Sequence, residues 1–266
     1  MRYFVLFFSF LHLTPVKSQE NSFVLGVGVG GYFAFKSPAQ LYNGSQSYSI
    51  PRIFSTQFFK DQIDQELVYN NGLTFDYYSE NIRYTPSVSL SANAGYFFSD
   101  DAMLMLEGSF TTLRVNDVFT MFVDRPNVNT PGRNIEAFPI TGKESRTHLD
   151  LSFRFVISEA VFGRGWFSLG AHGNFTQFKE NKIQIGNLPA YDVANPVWYI
   201  TNNFPQGFGW GLLSGFTQEI KISDAFALEA GVNAYWHTIK MADKSQELVN
   251  ARGFSFMPHI RILWLK

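Results

Sequence analysis

Seven charged or histidine side chains share one face of their segments with small residues such as glycine, serine and alanine. If those segments are strands, all seven point into the space that the strands enclose. There they would form either an ion path or a hydrogen-bonded plug, because isolated buried charges cost several kcal/mol each and must pair. Glu107 is predicted to pair with Arg154, and Glu229 with Arg261. The seven residues are Glu107, Asp150, Arg154, His172, Glu229, His259 and Arg261.

Histidines near one end of these segments raise the question of catalysis. His148, Asp150 and His237 share the inward face near the predicted mouth. Nucleophilic catalysis would require a hydroxyl beside such a histidine and a third group that orients the ring. No G-x-S-x-G motif occurs, and abundant serine makes chance proximity common. We therefore expect these three residues to be hydrogen-bonded to loop backbone at the mouth and to have no catalytic role. A lipid-modifying enzyme is the alternative.

Metal and cofactor sites are not predicted. The chain has no cysteine and five histidines without close ligand spacing, so thiolate sites and disulfides are excluded. The glycine-rich stretch 26–31 superficially resembles a phosphate loop. It lies inside a strand pattern with no helix after it, so the helix N-terminus that binds phosphate is missing. Its glycines are more simply explained as relief of crowding.

The elements that must position these residues show a period of two. Eight segments after residue 19 carry bulky apolar side chains on one face and mostly Gly, Ser, Ala and Asn on the other. A soluble sandwich would place its charges outward, whereas here the small polar face suits a narrow lumen. The lipid-facing positions are therefore predicted to include Leu90, Leu106, Leu151, Leu169, Leu212, Leu228 and Ile260.

Composition supports this interpretation. The 266 residues are 45% hydrophobic, 17% aromatic and only 16% charged, which argues against a disordered or nucleic-acid-binding chain. No run of about 20 apolar residues follows the extreme N-terminus, so a bundle of membrane helices is excluded. Residues 1–18 resemble a signal peptide, which leaves 19–266 as the exported barrel domain.

The connections set the predicted orientation. Those after the second, fourth and sixth segments are short, whereas long loops are expected at about 36–81, 116–146, 179–206 and 238–252. Bacterial outer-membrane barrels have short periplasmic turns, long extracellular loops and an even strand number, which places both termini in the periplasm. Four tryptophans are expected to form the membrane girdles, namely Trp166, Trp210, Trp236 and Trp264.

Two hairpins carry a family resemblance. Residues 94–108 and 223–230 resemble the turn regions of small eight-stranded outer-membrane barrels of the OmpA transmembrane-domain and OmpX type. The long aromatic loops and the cleavage site before Gln19 are similar to exported proteins of Bacteroidota-like diderms. The resemblance implies an all-β, eight-stranded antiparallel transmembrane barrel. A barrel of this size encloses just enough space for side chains, so we expect a plug rather than an ion path.

The first loop contains one segment with a helical period. Phe59, Ile63 and Leu67 recur at four-residue steps with Phe58 beside them, and Ser55 is the expected N-cap. The stripe would pack either in a self-contained cap over the mouth or against a partner. The predicted loop binding surface comprises Phe58, Phe59, Ile63, Leu67, Trp198 and Tyr199.

The predicted function is that of an outer-membrane barrel with a structural or binding role through its loops. Its partners would be outer-membrane lipid and another outer-membrane protein, with the chain as a subunit of a larger assembly. No cofactor and no nucleic acid are expected. A narrow pore is the first alternative, and a lipid-modifying enzyme is the second.

Overall fold

The computed structural model describes residues 22–45, 49–67, 74–123, 134–160, 163–193, 205–242 and 247–265. The predicted signal peptide at 1–18, Trp198 and Tyr199 lie outside the described residues. The helices are a 3-10 helix at Ser37–Asn43, α1 at Ile50–Phe54 and α2 at Gln57–Leu67. The strands are β1 Phe23–Tyr32, β2 Thr74–Tyr77, β3 Tyr84–Thr85, β4 Ser87–Ser99, β5 Ala102–Val123, β6 Asn134–Ala160, β7 Gly163–Ile183, β8 Tyr191–Asp192, β9 Gln206–Lys221, β10 Phe226–Ala242 and β11 Glu247–Leu265.

Eight of these strands close into a ring. Each pairs antiparallel with the next in the order β1, β4, β5, β6, β7, β9, β10 and β11, and β11 pairs again with β1. Val27 shows the closure directly, because it faces Ala92 of β4 on one side and Ile262 of β11 on the other. The predicted eight-stranded antiparallel barrel is confirmed.

The outward face of the barrel is apolar. Leu90, Leu106, Leu151, Leu169, Leu212 and Ile260 have exposed fractions between 47% and 61%, and Leu228 points outward but is half-buried. Side chains of this size alternate with inward small or polar residues, which is the pattern of a transmembrane strand. A continuous exposed apolar belt of this kind requires lipid rather than water around it. Within the described ranges, no helix is long and apolar enough to cross a membrane.

Glycines in β1 make room for the lumen side chains. A Cβ atom on Gly28 would lie 2.7 Å from Cγ of Arg261 and 2.8 Å from Oγ of Ser91. Any side chain there would displace a lumen arginine. The glycine-rich stretch therefore relieves crowding, as predicted. It lies within β1, and a helix does follow it, but this 3-10 helix begins only at Ser37.

Two apolar clusters close the barrel at its ends. The end formed by the β4–β5, β6–β7 and β9–β10 connections is called the turn end, and the opposite end is the mouth. The "turn-end core" consists of Val24, Met103, Met105, Trp166, Ala227 and Leu263. The "mouth core" joins barrel-wall residues to the helices and includes Tyr32, Leu213, Tyr235, Met257, Leu41, Ile50, Ile53, Ile63 and Leu67.

The 3-10 helix crosses the mouth. It contacts β5, β6 and β11, and β6 and β11 are diametrically opposite in the ring. Its Pro38 and Leu41 are buried, and a left-handed Gly44 ends it. Gly44 suits this position because a residue without Cβ adopts positive φ readily. The first loop is therefore a lid over the lumen.

Much of the predicted loop sequence is strand. The segment 116–146 was expected to be a loop, but β5 continues to Val123 and β6 starts at Asn134, with Val115 and Phe119 buried on the inner face. β7, β10 and β11 likewise extend into the segments predicted as the third and fourth loops. Most outward positions become polar above the lipid belt, with exceptions such as Val118 and Ile135, so the apolar alternation fades although the backbone pairing continues.

These extensions form a folded head above the barrel. The short strands β2 and β3 pair with β5, and β8 pairs with β7. α1 and α2 pack their apolar residues into the mouth core on the inner side of this sheet. The head is therefore packed on the mouth core, which continues from the barrel wall into the helices above it.

The predicted helix in the first loop is confirmed as α2. Its expected N-cap is wrong, because Ser55 instead caps the C-terminus of α1 and donates its hydroxyl to the carbonyl oxygen of Arg52 at 2.8 Å. Ile63 and Leu67 are buried in the mouth core, and the ring of Phe59 lies 5.2 Å from that of Tyr191. Most of the stripe thus packs internally as a cap, whereas Phe58 remains 64% exposed.

Candidate functional site

The inward residues form a polar column between the turn-end core and the mouth core. All seven side chains predicted for the lumen are buried. The period of two determines this orientation, since each of these residues is flanked along its strand by residues that face lipid. The column contains two groups, a charged network near the turn end and a histidine group nearer the mouth.

The charged network alternates in sign across the lumen. Arg154 on β6 donates to both carboxylate oxygens of Glu229 on β10, at 2.5 and 3.3 Å. Glu229 also accepts from Arg261 at 3.4 Å, and Arg261 in turn forms an ion pair with Glu107 on β5. The two arginines and two carboxylates have a formal charge sum of zero, which is the condition for burying them together.

One predicted ion pair is confirmed and one is wrong. Glu229 and Arg261 are direct cross-strand partners and do pair. Glu107 pairs with Arg261 and not with Arg154. The reason is the register of β5 and β6, in which Glu107 faces Asp150 while Arg154 lies opposite Met103, nearer the turn end. From that level the long arginine side chain reaches across the narrow lumen instead of along the wall.

Trp166 is not a girdle residue, contrary to prediction. It is fully buried, its indole Nε1 donates to Glu219 at 2.9 Å, and the guanidinium of Arg154 lies 5.4 Å from its ring centre. The cause is parity, because Trp166 precedes the outward Phe167 and must face the lumen. The other three girdle tryptophans, Trp210, Trp236 and Trp264, are exposed on the outer surface.

The histidine group surrounds Asp150. His172 Nδ1 lies 2.5 Å from Asp150 Oδ1, and the hydroxyl of Tyr235 donates to Asp150 Oδ2 at 3.2 Å. Asp150 and His172 are cross-strand partners, whereas Tyr235 reaches them from the far wall of the barrel. The ring of His148 lies 5.2 Å from that of His172 and 4.9 Å from that of Tyr32. Asp150 is therefore the centre of a packed ring layer.

His259 lies apart from this layer. Its Nδ1 is 3.1 Å from the carbonyl oxygen of Met257 on the same strand. It is buried between the two groups of the column, and Arg261 follows it at the next inward position. It therefore fills the lumen and bonds to its own backbone.

His237 and Ser255 lie together, as a catalytic pair would, but their hydrogen bonds run in the opposite sense. The amide Nδ2 of Asn174 donates to the carbonyl oxygen of Thr238 at 2.9 Å, which fixes the orientation of the amide. The same nitrogen is 3.1 Å from His237 Nδ1, so Nδ1 is the acceptor. His237 Nε2 then carries the proton and donates to Ser255 Oγ at 3.0 Å. A general base requires a bare nitrogen at that position.

A second buried polar group lies above the column, inside the head. Glu144 accepts from the hydroxyls of Tyr42 at 2.8 Å and Tyr84 at 2.9 Å, and from Arg146 Nε at 2.7 Å. Burial raises the pKa of both Tyr42 and Tyr84 well above the usual value, and the charge of Glu144 raises it further. The carboxylate thus connects the lid helix, β3 and β6.

Sequence reasoning missed this group because residues 144 and 146 fell inside a predicted loop. The available signal was the spacing of Glu144 and Arg146, which places both on one face of a strand. Within the ranges that the structure describes, no three His, Asp or Glu side chains are arranged to hold a metal ion.

Several solved outer-membrane proteins are similar to this chain at low identity and low TM-score. No family model matches the sequence, and no curated protein matches it. One similar structure is that of Ail, the attachment invasion locus protein of Yersinia pestis, in complex with the heparin analogue sucrose octasulfate. The sequence identity is 10%, the match covers 93% of this chain and 100% of that chain, and the TM-score is 0.40. It is similar to Neisserial surface protein A at 9% identity, 91% and 96% coverage and a TM-score of 0.42.

A third solved structure of this kind is the outer membrane protein OprG from Pseudomonas aeruginosa. It shares 9% identity over 94% of this chain and 97% of that chain, with a TM-score of 0.44. With TM-scores below 0.5, these similarities support no conclusion about fold or function. The predicted resemblance to small eight-stranded barrels is confirmed for the fold, and the closed strand pairing carries that conclusion.

Proposed function

We propose that this protein is a bacterial outer-membrane barrel, closed to passage, that anchors a folded extracellular head used for binding. The observation that carries the proposal is the mouth core, which joins the lid helices to the barrel wall and to the strand extensions. A head held by a common core is presented to the outside in one fixed orientation. Preorganisation of this kind reduces the entropy lost on binding.

The location is supported by the outer surface. Exposed apolar side chains occur on all eight strands of the ring, and tryptophans lie near both edges of this belt. The turn end has short connections and the mouth has long ones, as in barrels whose turns are periplasmic. In this arrangement β1 starts and β11 ends on the periplasmic side, and the head is extracellular.

Closure is supported by the order of layers along the lumen. The turn-end core, the ion-pair network, the histidine layer and the mouth core follow one another from one end to the other. Side chains from opposite walls meet at each polar layer, as in the Arg154–Glu229 pair. An ion entering the barrel from either end would first have to displace a buried apolar cluster, so the pore alternative has no support in this geometry.

The proposal also holds that the protein is not an enzyme. Ser255 and His237 are both buried, and the serine hydroxyl accepts the histidine proton instead of losing its own. His148 and Asp150, the other candidates, belong to the packed ring layer around Tyr235. None of these groups faces the outer surface, where a lipid substrate would arrive.

The proposed partner is another outer-membrane protein, and Phe58 is the residue of α2 that is free to meet it. Phe58 is largely exposed, while Phe59, Ile63 and Leu67 of the same stripe pack inside the head. An exposed aromatic side chain on a rigid helix supplies contact area at low entropic cost. The partner contact therefore centres on Phe58 and not on the whole stripe.

Co-purification from native membranes in mild detergent tests this proposal. Phe58→Asp should abolish recovery of the partner, while Gln65→Asp, which places the same charge at another exposed position of α2, should retain it. Both variants should keep the heat-modifiable electrophoretic mobility of a folded barrel. Equal recovery of the partner with both variants would refute a contact at Phe58.

A further inference from the structure

A basic patch lies on the outer wall of the protein, just above the lipid belt. Arg83 precedes β3, Arg114 lies on β5 and Lys143 lies on β6. Arg83 and Arg114 are exposed and Lys143 is partly exposed. All three have the outward parity of the lipid-facing residues below them, so the patch continues the membrane-facing wall of the barrel.

The strand register brings the three residues together. Arg114 faces Lys143 on one side and Thr85 on the other. Arg83 has the same parity as Thr85 and lies two residues from it. Directly opposed cross-strand side chains have Cβ atoms about 5 Å apart, and diagonal neighbours are within reach of long side chains. Two like charges directly opposite each other are destabilising unless an anion lies between them.

The height of the patch matches the lipid headgroups. The last exposed apolar side chain of β5 below Arg114 is Phe110, four residues away. Four residues of a strand tilted by about 40° rise by about 10 Å. The polar region of a bilayer begins at the edge of the hydrocarbon and is about 5–7 Å thick on each side. The backbone at Arg114 therefore lies just above the headgroup layer, and the long basic side chain reaches down to the headgroups.

The charges of the patch have no ion-pair partner within the described part of the chain. Among the residues that the structure describes, no ion pair joins Arg83, Arg114 or Lys143 to a carboxylate. Glu180 is the cross-strand neighbour of Lys143, but its carboxylate is held by Lys182 at 2.9 Å. The patch therefore presents net positive charge toward the membrane surface.

We propose that this patch binds the phosphate groups of the lipid that forms the outer leaflet, the phosphorylated glucosamine headgroup of lipid A. The proposal rests on the outer-membrane location and the extracellular mouth proposed above. Guanidinium and ammonium groups are the protein's usual ligands for phosphate, and arginine can bind it with two parallel hydrogen bonds. The bound anion removes the repulsion between Arg114 and Lys143 and fixes the height of the head above the membrane.

Binding of lipid A to the detergent-folded protein tests the inference. The dissociation constant is measured for bisphosphorylated lipid A and for the same lipid after its phosphates have been removed. Arg114→Gln with Lys143→Gln should weaken binding of the phosphorylated lipid on the order of 30-fold, because each basic residue near an anionic lipid surface contributes about fivefold. The matched control is Arg164→Gln with Lys221→Gln, which removes two charges at the turn end and should leave the affinity unchanged. Loss of heat-modifiable folding in the wild type would instead argue against the barrel proposal.

Three results would overturn the inference on a folded barrel. One is equal affinity for the phosphorylated and the dephosphorylated lipid. Another is an equal loss of affinity in the patch variant and in the control. The third is competition by millimolar inorganic phosphate as effective as that by lipid A, which would show a site for free phosphate in place of a lipid site.

Discussion

Glu229 is the residue on which the charged network of the lumen depends most. It is fully buried and accepts hydrogen bonds from Arg154 Nη1 and Nη2 and from Arg261 Nη1. Glu229→Gln keeps the shape but removes the negative charge, so Arg154 loses its ion-pair partner and Arg261 keeps only the carboxylate of Glu107. Removing one partner of a buried ion pair costs about 3–5 kcal/mol. We expect the free energy of unfolding to fall by that amount.

The assay is equilibrium unfolding by urea in phospholipid vesicles, followed by tryptophan fluorescence and by the heat-modifiable electrophoretic shift. Trp166 lies beside Arg154, so one of the five tryptophans that contribute to this signal belongs to the network. Glu159→Gln is the matched control, because it removes a carboxylate from the exposed ion pair with Arg164. Such surface pairs contribute roughly 0–1 kcal/mol. If Glu229→Gln costs no more than Glu159→Gln, the network does not stabilise the barrel and the reasoning is wrong.

Three further predictions follow from the same layers. The purified wild type should give no steady conductance in planar bilayers, and stable single-channel currents would contradict the double apolar closure. Leu151→Arg should destabilise the barrel by about 2–4 kcal/mol near the membrane midplane; a spin label at 151 should be more accessible to lipid-phase quenchers than one at Ser152, and the reverse order would contradict the assigned faces. The raised pKa values of Tyr42 and Tyr84 keep both protonated in the folded state, whereas unfolded tyrosines ionise near the usual value of 10.0. Their contribution to stability is therefore complete below about pH 10 and is lost as pH rises above it; Tyr42→Phe should flatten the alkaline slope of the unfolding free energy, and an unchanged slope would contradict the role of this group.

The helix in the first loop shows what a local sequence pattern predicts and what it does not. Its four-residue period predicts α2, but the choice between a cap and a docking helix depends on what faces the stripe. Only the folded structure shows Ile63 and Leu67 inside the mouth core and Phe58 outside it. The apolar stripe alone is the same in both cases.

The strand extensions show a different reason for failure. The inner positions of β5 and β6 above the membrane include buried apolar residues such as Val115, Phe119 and Ile140, whereas the outward positions turn mostly polar from Arg114 and Lys143 onward. A strand boundary predicted from the lipid-facing residues therefore falls before the actual end of the strand. Backbone pairing continues there because adjacent strands still supply the hydrogen bonds. The helices of the first loop cover the inner face, so this part of the sheet needs no lipid.

The sequence by itself determined which side chains face lipid and which face the lumen, because the period of two is a local property of each strand. It therefore specified the barrel and the seven predicted lumen residues, although the prediction left out Trp166 and its partner Glu219. Only the tertiary structure decided the partners within that network. Arg154 meets Glu229 and Arg261 meets Glu107 across the lumen. These contacts depend on the stagger of eight strands around the ring and on the width of the barrel, which no single segment of the chain encodes.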